Sequence, residues 1–76
     1  MSKADKKEQR IRKNVNNVSL EDFEALINKY GSIITGGSHP KAFINGHVFP
    51  YKRSNPVNAH YVESVLKIID EMKGEE

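Results

Sequence analysis

Three histidines, His39, His47 and His60, are the side chains of this 76-residue chain whose ordinary pKa lies near neutrality. His39 has the company that chemistry needs. Gly36-Gly37-Ser38 gives it a flexible approach, Lys41 follows two positions on, and Lys52 and Arg53 come just after a segment able to pair back on it. Neutral imidazole in such a position can take a proton from a ribose 2′-hydroxyl, whose oxygen then attacks the adjacent phosphorus. General-base help of this kind is worth roughly 10²–10⁴-fold. Lys41, Lys52 or Arg53 would stabilise the charge that builds on the phosphorane oxygens. The competing reading of His39 is an ordinary surface or hydrogen-bonded histidine, with the same cations holding RNA and no reaction following.

Other chemistries find less support. The chain has no cysteine, so disulfides, thiolate nucleophiles and cysteine-based zinc sites are excluded together. No His-x-x-x-His pair occurs and the acids fall on helical segments, so neither a metal site nor a cofactor is expected. Ser38 adjoins His39, but strand geometry would turn the two to opposite faces and defeat a serine triad. Gly36-Gly37 is too short for a phosphate-binding loop and reads as a turn. His47 borders a turn and His60 opens a helix, where a protonated imidazole is disfavoured by the dipole. Phe43 and Tyr51 can each stack on a base or pack in a core.

The elements that must position His39 centre on Asn45-Gly46. This pair accepts positive φ at two consecutive positions, as a two-residue type I′ turn requires, and apolar residues flank it on both sides. Such a turn sets Ile44 opposite His47, Phe43 opposite Val48, Ala42 opposite Phe49, Lys41 opposite Pro50 and His39 opposite Lys52. Opposed residues share a face. Pro40, Ala42, Ile44, His47, Phe49 and Tyr51 then form the core side. His39, Lys41, Phe43, Val48, Pro50 and Lys52 form the other. A further strand is expected over residues 32–35.

Ser19-Leu20-Glu21-Asp22 fits a capping box, with Val18 stapled onto Phe23, and Leu20, Phe23, Leu26, Ile27 and Tyr30 recur at helical spacing up to Gly31. Asn58 caps a second helix whose stripe is Ala59, Val62, Val65, Leu66, Ile69 and Met72. Residues 1–17 form a basic leader, partly helical or disordered, in which only Ile11 and Val15 offer an apolar stripe. Residues 18–73 form the domain proper, and residues 74–76 a tail. The net charge of +2 is uneven. Residues 1–13 carry +4, residues 14–53 carry +1 and residues 54–76 carry −3, so the basic end can meet a polyanion, with Arg12 and Lys13 joining the sheet cations. No apolar run reaches the length of a membrane span, and a cytoplasmic protein with no membrane partner is expected.

The order helix, three strands, helix predicts a two-layer α+β domain, a three-stranded antiparallel sheet with two helices on one face. Double-stranded-RNA-binding domains share this α-β-β-β-α arrangement. Gly37-Ser38-His39 opening the second strand, the preceding capped helix ending Tyr30-Gly31, the hairpin, and Asn55-Pro56-Val57 leading into Tyr61-Val62-x-x-Val65-Leu66 together resemble the HicA family of bacterial and archaeal toxins. The likeness covers roughly residues 18–71. It implies a small fold of this kind that cleaves messenger RNA without a metal, as the toxin of a toxin-antitoxin pair restrained by a HicB antitoxin. The family's catalytic histidine maps onto His39. Pro40 stands where family members often have a second histidine or an aromatic residue. Lys41, Lys52 and Arg53 as RNA-binding groups come from the residues themselves.

Overall fold

Helix α1 (Lys3–Lys13) and helix α2 (Leu20–Tyr30) are followed by strands β1 (Ser32–Ile34), β2 (Lys41–Ile44) and β3 (His47–Pro50), and then by helix α3 (Ala59–Gly74). The computed structural model describes residues 3–74, with side chains from residue 6 onward. Residues 1–2 of the leader and 75–76 of the tail lie outside the described residues.

The three strands form an open antiparallel sheet in the order β1-β2-β3. Asn45 and Gly46 both carry positive φ, 50° and 80°, so the hairpin turns where the sequence predicts. Its register is also the expected one from Ile44 opposite His47 to Lys41 opposite Pro50. Burial follows from that register. Ala42, Ile44 and Tyr51 are buried, whereas Lys41, Phe43, Val48 and Pro50 face outward.

Helices α2 and α3 cover the inner face. The Ser19 hydroxyl accepts the Asp22 amide at 3.1 Å, holding the start of α2, while Asp22's carboxylate faces Lys7 of α1 at 3.7 Å. Phe23, Leu26 and Ile27 of α2 meet Val62, Val65, Leu66 and Ile69 of α3 in one core. The Asn58 side chain accepts the His60 amide at 2.9 Å and starts α3. Between sheet and α3, the Val57 amide donates to the Val18 carbonyl at 2.8 Å, tying the connection to the entrance of α2.

Gly31 ends α2 for a steric reason. A Cβ there would lie 1.9 Å from the Phe43 carbonyl oxygen, so only glycine lets α2 and β2 approach this closely. Its φ of −159° needs no left-handed backbone.

The expectation of two helices needs correction. Residues 3–13 of the leader, expected to be partly helical or disordered, form a third helix laid against α2. Its inward stripe is one carboxylate and one aliphatic group: Glu8 is 8% exposed and Ile11 3%. Glu8 accepts hydrogen bonds from Tyr30 (2.5 Å), Lys29 (3.4 Å), Lys73 (3.1 Å) and Arg12 (3.3 Å), and Arg12 also reaches Asp70 at 2.9 Å. Burial pushes the Glu8 carboxyl up. The hydrogen bonds from Tyr30, Lys73 and Lys29 and the charge of Lys73 outweigh it, taking the pKa from 4.5 to about 2. Helix α1 is thus bolted to both other helices.

Candidate functional site

His39 does not lie on a strand. The Pro40 carbonyl accepts the Tyr51 amide at 3.1 Å, one step beyond the Lys41–Pro50 pair, and there the ladder stops. Proline has no N–H to return the bond. Residues 35–40 therefore form a loop, and the expected pairing of His39 with Lys52 becomes an encounter across a cleft. Gly36 and Gly37 carry φ of 123° and 83°, and this left-handed backbone swings the loop clear of β1.

The cleft measures about 220 Å³ and is lined by His39, Pro50, Tyr51, Lys52 and Tyr61. His39 and Lys52 are exposed, and Tyr61 is half-buried. An imidazole, an ammonium group and a phenol ring therefore border one small opening at the end of the hairpin. Its floor is rigid. Tyr51 is 1% exposed, packs edge-on against Phe23 with ring centroids 5.1 Å apart, and donates to Glu24 at 2.5 Å. Burial pushes the Tyr51 phenol up, and the hydrogen bond to Glu24 and its negative charge push it further, so this hydroxyl stays protonated. Tyr51 is core and not a stacking group.

The four residues singled out by the sequence do not stay together. His39 and Lys52 share the cleft. Lys41 is exposed on the outer sheet face opposite Pro50, a cleft-lining residue, and so stands just behind the opening. Arg53 departs from the expected basic face. Past the end of β3 it turns to the helix side with Tyr51, where it meets Glu24 at 3.2 Å. Its charge is partly used in holding the floor of the cleft.

Tyr61 was not singled out by sequence reasoning as part of the site. It lies in the first turn of α3, where the helical pattern marks it only as a flank of the apolar stripe. The Asn58 cap fixes the azimuth of that turn, and this aims Tyr61 at a loop more than twenty positions away in sequence. His60 beside it is exposed, with its ring 6.0 Å from that of Tyr61. His47, expected on the core side of the hairpin, is instead exposed, because it borders the turn at the end of β3 beyond the cover of the helices.

The outer sheet face is open. Ile34, Phe43 and Val48 are 45%, 40% and 51% exposed there, with Lys41 beside them. Phe43 thus keeps a free ring face. Among the described residues, no three His, Asp or Glu side chains gather as metal ligands, and no helix is long and apolar enough to cross a membrane. Set beside protein-family models, curated proteins and solved structures, the chain matches none of them.

Proposed function

We propose that the chain is a metal-independent endoribonuclease of the HicA type, the toxin of a toxin-antitoxin pair acting on messenger RNA. One observation carries this reading: His39, an exposed imidazole on a glycine-hinged loop, borders a cleft with Lys52 and Tyr61. The Gly37-Ser38-His39 motif and its setting in the chain order support it. Neutral His39 takes the proton from a ribose 2′-hydroxyl as the oxygen attacks phosphorus. The bond to the 5′-oxygen breaks, that oxygen takes a proton from water, the His39 imidazolium returns its proton to solvent, and a 2′,3′-cyclic phosphate remains. Lys52 offsets charge on the non-bridging oxygens, and Lys41 holds a neighbouring phosphate. The Tyr61 ring offers a surface for an unstacked base.

The experiment is incubation of the purified chain with labelled messenger RNA in the presence of chelator, beside the His39→Ala protein. The intact chain should yield fragments ending in cyclic phosphate. The alanine variant should lose about 10²–10⁴-fold in rate with its thermal stability unchanged, because His39 is exposed and outside the core. Unaltered cleavage by the variant would remove His39 from the mechanism. Expression alone should arrest growth, with rescue by a HicB-type antitoxin.

A second reading, a non-catalytic RNA-binding module, is favoured by the free ring of Phe43 beside Lys41 on the open sheet face. Binding with no fragments at any pH would select it.

A further inference from the structure

Helix α1 divides its cations into two sets. Lys7 and Arg12 are committed to Asp22, Glu8 and Asp70. Lys6, Arg10 and Lys13 are exposed, and among the described residues no carboxylate pairs with them. Their spacing of four and then three residues sets them on one face. At 1.5 Å per residue they span about 10 Å, the reach of roughly three phosphates at about 3.4 Å per nucleotide. Arg10 and Lys13 border two adjoining surface grooves of about 520 and 350 Å³, the first shared with Lys6, Lys7 and Gln9, the second with Asn14, Asn17, Ile11, Val18 and the Asp22 carboxylate that pairs with Lys7.

We propose that this outward face of α1 binds the phosphate backbone of RNA flanking the segment held at the His39 cleft. Charge complementarity and the polar neighbours select a polynucleotide. Amide side chains between cations suit phosphate and sugar oxygens. A membrane surface would need exposed apolar side chains beside the cations, and Ile11 and Val18, the apolar residues of the second groove, are each only 3% exposed.

The position of α2 makes the contact separable from the cleft. Asp22 meets Lys7 of α1, whereas Glu24 meets Arg53 and Tyr51 beside the cleft. Two helical residues are about 200° apart, so α1 and the cleft flank opposite sides of α2, and across the diameters of α2 and α1 the outward face of α1 lies about 20 Å from the cleft. The molecule's longest dimension is 35 Å, or on the order of ten stacked nucleotides. An RNA of four or five nucleotides can fill the cleft alone, while a strand of twenty can reach both surfaces. That flanking geometry rests on the ribonuclease reading; the binding face does not.

The test measures binding of fluorescent RNAs of five and twenty nucleotides to the full chain carrying His39→Ala, across a salt series. Adding Lys6→Gln, Arg10→Gln and Lys13→Gln should weaken the 20-mer roughly tenfold or more. It should lower the slope of log K against log salt by about 2, and leave the 5-mer within twofold. Lys67→Gln, an exposed cation on α3, is the control and should change neither. Unchanged 20-mer binding and slope overturn the inference, as does equal weakening of both RNAs. So does loss of binding to phosphatidylserine vesicles with RNA binding intact, since that assigns the face to a membrane. Cleavage by the His39 protein is scored separately. If the 20-mer needs α1 but nothing is cut, the α1 surface stands and the ribonuclease reading falls.

Discussion

Replacing Glu8 by glutamine leaves Tyr30, Lys29, Lys73 and Arg12 converging on a neutral amide. The Lys29 and Lys73 ammonium groups both approach the Tyr30 ring, at 5.1 and 5.4 Å from its centroid, so the carboxylate is what lets two cations gather there. The variant should lose about 2–3 kcal/mol in urea unfolding at pH 7, the range for removing one partner from a largely buried charged network. The same group sets an acid response. A carboxyl whose folded pKa is about 2 instead of 4.5 adds stability that is complete above about pH 5 and lost as pH falls toward 2. The native chain should therefore weaken between pH 5 and 2 by up to about 3 kcal/mol from this group alone. Glu8→Gln should flatten that part of the profile. An unchanged slope in the variant would show that other carboxylates govern acid unfolding. Sequence pattern does not disclose this role, since a glutamate among lysines looks solvated until residues 65 positions apart are brought together.

At the scale of elements, Gly31 and Asn45-Gly46 show two different uses of glycine. The hairpin pair is legible because positive φ in a two-residue turn is a local demand. Gly31 sits where a helix-ending glycine is expected, but the demand on it comes from another element, the Phe43 carbonyl. Gly31→Ala should force β2 away from α2. A loss of about 2–3 kcal/mol is expected, a fall of roughly 10–20 °C in melting temperature for a chain this short, read by thermal denaturation. A change below about 3 °C would mean that the β1–β2 edge yields without cost. Pro40 belongs to the same scale. Its missing amide ends the ladder one residue after His39, which frees the imidazole from the sheet and gives it a glycine-hinged loop.

For the molecule as a whole, α1 decides how complete the core is. Deleting residues 1–13 removes Ile11 from the buried cluster and takes Glu8 from Lys29, Lys73 and Tyr30. The shortened chain should lose about 3–5 kcal/mol, a large part of the 5–15 kcal/mol that small domains possess. Its melting temperature should fall by at least about 12 °C in calorimetry. A truncated chain as stable as the full one would make α1 an appendage. From the amino-acid order alone came most of what near neighbours govern: the Ser19 and Asn58 caps, the hairpin with its register from Ile44–His47 to Lys41–Pro50, the burial of Ala42, Ile44 and Tyr51, and the candidate His39. Folding in three dimensions alone settled the rest. It made α1 a structural helix, turned Arg53 toward Glu24, brought Tyr61 to the His39 cleft and left Lys6, Arg10 and Lys13 facing solvent. The division has a physical basis. Backbone dihedrals and alternation are set within a few residues, whereas the partner of a charge or the wall of a cleft depends on which distant segments the core draws together.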